Sequence, residues 1–181
     1  MGERYDSVRE LAAAADSRVD AERAPVAIIA GCGAGTTVAQ LREYDVDAYG
    51  FDSSPAVLET APSPVRERLL EADLRDEDLV ASLREAFGID EIDVLVTESL
   101  LSFLTVEEAT TALARIRETD GVGTLIHQVR IDPPVAAQEG EIDVTIMPPA
   151  EWQVACDPDD EDVWRDPMER LDLPPDGTDM R

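Results

Sequence analysis

The sequence predicts an α/β protein, a mostly parallel sheet with helices on both faces. Three observations carry this. Strand-like and helix-like segments alternate five times between residues 26 and 129, at intervals of roughly 20–30 residues. Two strand segments, Val26–Ala30 and Ile92–Val96, are short and apolar almost throughout, the pattern of strands covered on both sides. The first of them breaks directly into Gly31-Cys-Gly-Ala-Gly35 before a helical pattern begins.

Taken in order, Val8, Leu11, Ala12 and Ala15 share one helical face and predict an amphipathic helix over residues 5–15. After strand Val26–Ala30 and the glycine turn, Val38 and Leu41 mark the face of a helix over 36–44. A second strand spans 46–51 and ends at Asp52, and Ser53-Ser54-Pro55 supplies an N-cap and a helix-starting proline. Residues 69–74 read as a third strand. Asp76 is a cap for a helix that carries Leu79, Leu83 and Phe87 on one side, with Gly88 just past its end. The fourth strand, 92–96, is followed by Thr105-Val-Glu-Glu108, a capping box that opens a helix with Val106, Ala109, Leu113 and Ile116 inward. Gly121-Val-Gly123 leads into the fifth strand, 124–129. Beyond it, Ile142–Met147 and Trp152–Ala155 flank Pro148-Pro149 and predict a closing antiparallel hairpin. Residues 157–181 hold ten acids and four prolines and are expected to wrap the surface without regular structure, anchored by Trp152 and Trp164. The chain thus divides into one domain over 1–156, with its core over 26–130, and an acidic extension over 157–181.

Against 41 Asp and Glu there are 15 basic residues, all Arg, for a net charge of −26. Leu, Ile, Val and Phe make up about a quarter of the chain, above the ~20% below which high charge implies disorder, so the acids coat a folded core. Such repulsion opposes compaction in dilute buffer and is screened in ~1 M salt, where the Debye length falls to ~3 Å. The composition therefore resembles that of haloarchaeal proteins and predicts a high-salt cytosol. No Arg cluster interleaved with aromatics speaks for nucleic acid. No signal pattern or long apolar run speaks for a membrane, and a cytoplasmic protein is expected. Cys32 and Cys156 lack metal-ligand spacing and one histidine stands in the whole chain, so no metal site is predicted.

A glycine-rich turn between a buried strand and a helix lets backbone approach a ligand closely, and its free N–H groups favour an anion. Asp52 ends the second strand, where it can accept two ribose hydroxyls, and Asp73 ends the third, where it can meet an adenine amino group. Thr36 stands where a dinucleotide fingerprint has its third glycine, which leaves a nicotinamide dehydrogenase a distant reading.

The ordered set Ala27-Ile-Ile-Ala-Gly-Cys-Gly-Ala-Gly35, Tyr49-Gly-Phe-Asp-Ser-Ser-Pro55, Glu71-Ala-Asp-Leu74 and Ile92-Asp-Val-Leu-Val96 resembles the successive motifs of class I S-adenosylmethionine-dependent methyltransferases. The resemblance implies a Rossmann-like, seven-stranded sheet, with Gly31, Cys32, Gly33 and Gly35 beneath the methionine end of the cofactor S-adenosylmethionine. It also implies Asp52 and Ser53 on the ribose and Asp73 with Leu74 around the adenine. The hairpin at 142–155 would be the antiparallel strand that usually ends such sheets. Ile29 departs from the pattern, since the family often has an acid there. No Asn-Pro-Pro-Tyr-type motif follows the fourth strand, and Asp132-Pro-Pro134 follows the fifth and reads as a loop. Instead the fourth strand runs into Thr97-Glu-Ser-Leu-Leu-Ser-Phe-Leu104, similar to a Glu-containing segment of some carboxyl- and small-molecule O-methyltransferases. Glu98 there can accept a proton, orient a nucleophile, or hold the methionine amine in place of the acid absent at Ile29. His127, in mid-strand, is expected to be a packing residue, and Cys32 to contribute backbone alone. The resemblance implies methyl transfer to a small-molecule or peptide acceptor. The rival reading is a non-catalytic, methyltransferase-like binding subunit.

Overall fold

The computed structural model describes residues 2–19, 22–133, 138 and 142–166. A six-stranded sheet runs in the order β3-β2-β1-β4-β5-β6, and every pair in it is parallel. Its strands are β1 (Val26–Ala30), β2 (Asp47–Asp52), β3 (Leu69–Glu71), β4 (Ile92–Glu98), β5 (Val122–Gln128) and β6 (Val163–Arg165). The helices are α1 (Gly2–Asp16), α2 (Thr36–Arg42), α3 (Pro55–Leu58), α4 (Ser63–Arg66), α5 (Leu79–Phe87), α6 (Val106–Arg117) and α7 (Pro149–Cys156).

The apolar strands are buried on both faces because helices cover both. Successive residues of β1 alternate between two cores. Ile28 and Ala30 join Tyr49, Leu83, Leu95, Leu113 and Trp152 on the face of α5, α6 and α7. Ala27 and Ile29 join Val8, Leu11, Val38, Val94 and Val96 on the face of α1 and α2. This period of two is the pleat itself, and it explains why the runs carry no polar alternation. The capping box of α6 forms as predicted, with Glu108 N–H donating to Thr105 Oγ1 at 3.2 Å and Thr105 N–H to Glu108 Oε2 at 2.8 Å. Gly88 ends α5 in the left-handed region at φ 65°.

Four expectations are corrected. The strand expected over 69–74 stops at Glu71, because Asp73 to Asp76 form a turn with Asp76 N–H donating to Asp73 O at 3.0 Å. Asp76 does not cap α5, which starts at Leu79. Its carboxylate instead accepts the Asp73 N–H at 2.9 Å. The hairpin at 142–155 is absent. Ile142–Met147 lies unpaired in any strand, with Thr145 bonded to the carbonyls of Ser102 and Leu104. Pro149, whose fixed φ suits a first helical turn, starts α7 and takes Trp152–Ala155 into a helix. The place beside β5 goes to β6, which pairs Ile126 with Val163 and Gln128 with Arg165. The acidic segment after 157 therefore contains a strand, and the described sheet has no antiparallel member. Arg165 of β6 also faces Glu10 of α1 at 3.5 Å, joining the first helix to the last strand. Among the described residues, no helix is long and apolar enough to cross a membrane.

Candidate functional site

In a parallel sheet the loops that leave the carboxyl ends of the strands gather on one side, where the order reverses between β1 and β4. Here they enclose a solvent-open cleft of about 400 Å³. Gly31, Asp52, Ser53, Asp73 and Leu74 line it together, whereas Cys32, Gly33, Gly35 and Glu98 lie outside its walls. The opposite wall is Leu100, Phe103 and Leu104, from the segment after β4, and Phe103 is half-exposed.

The glycine loop is set by backbone shape and close packing. Gly31 has φ 73°, a region that side chains disfavour, and a Cβ there would stand 3.1 Å from Leu100 Cβ. Gly35, at φ 75°, serves packing of a different kind, since its Cβ would press Val65 Cγ1 of α4 at 2.7 Å. The loop is fixed to β2 twice. Gly31 N–H donates to Phe51 O at 2.9 Å, and Gly33 N–H donates to Asp52 Oδ2 at 3.0 Å. Asp52 Oδ1 accepts the Ser54 N–H at 3.0 Å, so this carboxylate organises both the glycine loop and the start of α3.

On the far side of the cleft Asp73 is gripped by Arg75. Nε donates to Oδ1 at 2.8 Å, a terminal guanidinium nitrogen to Oδ2 at 2.7 Å, and the Arg75 N–H to Oδ1 at 2.9 Å. The guanidinium hydrogen bonds hold the Asp73 carboxyl below the usual carboxylate range. The remaining guanidinium nitrogen donates to Glu108 Oε1 at 3.0 Å, at the start of α6.

Glu98 ends β4 on the α2 side of the sheet. Ile29 pairs with Val96 across the β1–β4 register, so Glu98 stands two residues beyond the partner of Ile29 on the neighbouring strand, on the same face. Thr37 Oγ1, buried in the first turn of α2, donates to Glu98 Oε2 at 2.8 Å. Ser99 then takes φ 61°, strained for a non-glycine residue, and turns the chain toward Leu100 and the cleft.

Sequence reasoning missed Arg75, Thr37 and the Leu100–Leu104 wall. Arg75 was available as a basic residue two places after a strand-end acid. Thr37 and the wall depend on which loops meet in space, which spacing along one chain does not carry.

Burial, with the nearby charge of Asp52, pushes the Cys32 thiol up to about 12, and burial also raises Cys156. Both cysteines are free and buried. Native protein at pH 8 is expected to leave both unalkylated by iodoacetamide, the Cys32 thiolate being about 1000-fold scarcer than at an ordinary pKa. The same protein in urea should take up two labels, read by intact mass.

His127 is fully buried on β5 and lies outside the cleft walls, in the packing role expected of it. Its Nδ1 is 2.8 Å from Thr97 Oγ1 and its Nε2 2.9 Å from Asp162 Oδ2, and its ring lies 4.2 Å from that of Trp164. Burial lowers its pKa, and a neutral ring that donates from Nε2 to the acid and accepts at Nδ1 satisfies both neighbours. Asp162 also takes Arg117 through two nitrogens, at 2.9 and 2.6 Å. Asp157 accepts the Asp162 N–H at 3.0 Å and Trp164 Nε1–H at 3.1 Å. With Trp152 fully buried, both tryptophans hold the C-terminal segment to the core. Among the described residues, no group of three or more His, Cys, Asp or Glu side chains could hold a metal ion.

Comparison with known proteins bears on the same region. The protein-family model described as a methyltransferase domain matches residues 28–124. No curated protein sequence matches. Among solved structures, magnesium protoporphyrin IX methyltransferase (ChlM) from Synechocystis, with bound SAH, is similar at a TM-score of 0.57 and 17% identity, covering 84% of this chain and 70% of that one. DesVI of Streptomyces venezuelae is similar at 0.53 and 20% identity, covering 73% of this chain and 53% of that one. CalS10, an SAM-bound amino pentose methyltransferase from Micromonospora echinaspora, is similar at 0.52 and 20% identity, covering 71% and 52%. The likeness is one of fold, and the chain spans about half the length of DesVI and of CalS10.

Proposed function

The chain belongs to the methyltransferase-domain family, and from that premise we propose that it transfers the methyl group of S-adenosylmethionine to a small-molecule or peptide acceptor. The observation that carries this is Asp52, at the carboxyl end of β2, bonded to Gly33 N–H of the loop that follows β1. An ionised carboxylate offers about four acceptor positions. Each Asp52 oxygen uses one on a backbone N–H, which leaves a position on each for the two hydroxyls of a ribose. Gly31 presents bare backbone to the same cleft, and Phe51, Leu74 and Leu100 give it apolar walls. The residues that line the cleft therefore fit the adenosine part of the cofactor.

The cofactor supplies a methyl group already activated on a sulfonium, so the protein's part is alignment and exclusion of water. Asp52 and Ser53 would hold the ribose, Asp73 and Leu74 the adenine, and the Gly31–Gly35 loop the methionine end. Glu98 would hold the methionine ammonium. Its place two residues beyond the partner of Ile29, on the same face, supports a transfer of that acid from β1 to β4, with Thr37 fixing one oxygen. The same carboxylate stands at a strand end where an acceptor's proton could be taken.

Titration calorimetry in 2 M KCl, where the acid coat is screened, is expected to show binding of S-adenosylmethionine and of its demethylated product. Neither binding nor thermal stabilisation by these ligands, with stabilisation by NAD instead, would refute the reading. Binding without turnover across acceptor panels would favour the binding-subunit reading.

A further inference from the structure

Arg75 touches no group that the proposed reaction uses except Asp73, yet it is tied down on every side of its guanidinium. Asp73 Oδ1 receives two donors, the Arg75 N–H at 2.9 Å and Nε at 2.8 Å, whereas Oδ2 receives one, at 2.7 Å. A carboxylate oxygen has two lone pairs, so Oδ1 is saturated and Oδ2 keeps one acceptor position. The planar fork of an arginine meets a carboxylate edge-on and holds it in one rotamer. That fork is anchored in turn, because its other nitrogen reaches Glu108 Oε1 at 3.0 Å while Glu108 Oε2 is engaged in the capping box of α6. Arg75 and Asp73 both line the cleft.

We infer that Arg75 is the positioning residue for the base of the cofactor: it leaves Asp73 a single open acceptor position and aims it at the exocyclic amino group of adenine. The inference rests on the proposed binding of S-adenosylmethionine and adds a source of base selectivity that Asp73 alone would not provide. Without the clamp only the backbone N–H of residue 75 restrains the Asp73 carboxylate, and its remaining freedom must be lost when the ligand binds. The amino group then loses affinity by about 3–10-fold, the range expected for immobilising one side chain.

The test is a cycle between protein and ligand. Dissociation constants in 2 M KCl are measured for S-adenosylhomocysteine and for its analogue with purine in place of adenine, which lacks only the 6-amino group. Wild type should prefer the adenine compound. Arg75→Gln should weaken that compound about 3–10-fold and move the purine analogue less than twofold, so the preference shrinks. Arg75→Lys, whose point charge cannot grip both oxygens, should fall between. Equal weakening of both ligands would mark Arg75 as merely structural and overturn the inference, as would tighter binding of the adenine compound to Arg75→Gln. A wild type that binds both ligands equally would overturn it while leaving the methyltransferase reading intact. Binding of neither would overturn both. Circular dichroism melts of the variants check that a lost preference is not lost fold.

Discussion

Replacing Asp162 by alanine is expected to destabilise the protein by about 3–5 kcal/mol, the effect of removing one partner from a buried ion pair. The carboxylate is almost fully buried and faces Arg117 and His127 at once. Its loss leaves a largely buried guanidinium with the Cys156 carbonyl alone, and a buried ring nitrogen that solvent cannot reach. Chemical unfolding in 2 M KCl measures the difference, and a change below about 1 kcal/mol, the value of an exposed pair, would show that the network is solvated. The network also sets a pH dependence. Burial depresses the His127 pKa below its ordinary 6.5, so the unfolded chain takes up that proton first and stability falls as pH drops below 6.5. For Asp162, burial works upward, but the hydrogen bonds from His127 and Arg117 outweigh it and hold the pKa below 3.8. Its contribution is present above 3.8 and fades as pH falls through the depressed value. Both slopes have the same sign. His127→Gln should remove the part that sets in below pH 6.5, the ordinary histidine value, and leave the slope that Asp162 gives at lower pH.

The second large effect is on the ligand. Asp52→Ala should weaken S-adenosylmethionine binding by about 100-fold or more, since two hydrogen bonds to a charged group are lost together. The variant also frees Gly33 N–H and Ser54 N–H, which Asp52 holds in place. Asp52→Asn keeps one acceptor oxygen and should lose less. A variant that binds as tightly as wild type would remove Asp52 from the ribose. Measuring the purine analogue beside the adenine compound separates this effect from that of Arg75, because loss of the ribose contact weakens both equally.

Much of the fold was legible because local and tertiary requirements coincide. β1 and β4 read as buried strands since helices cover both faces, and the Thr105–Glu108 box reads as a helix start because its bonds are local. The cleft acids were legible for a related reason, since Asp52 ends β2 and Asp73 lies in the turn just past β3, where the chain turns toward the ligand. The edge of the sheet was not legible. Ile142–Met147 has the alternation of a strand, but its backbone is taken up by the segment after β4, and Pro149 sends the next residues into α7. β6 hides in an acid-rich segment whose order rests on His127 and Arg117, residues 35 and 45 positions away from Asp162. Glu98 was placed correctly at a strand end, but its relation to Ile29 needed the β1–β4 register.

The partnership between β5 and β6 also imposes a timetable on synthesis. The residues that line the cleft have all been made by Leu104, yet His127 and Arg117 reach Asp162 only once residues 157–165 have emerged. Until then a nascent chain carries a sheet with β5 as an open edge, and a histidine and an arginine waiting for a carboxylate. Arg165, the last residue of β6, then reaches back to Glu10 of α1, which lies far ahead of it in the chain. Such a chain must keep that open edge from pairing elsewhere for the time translation takes to deliver β6.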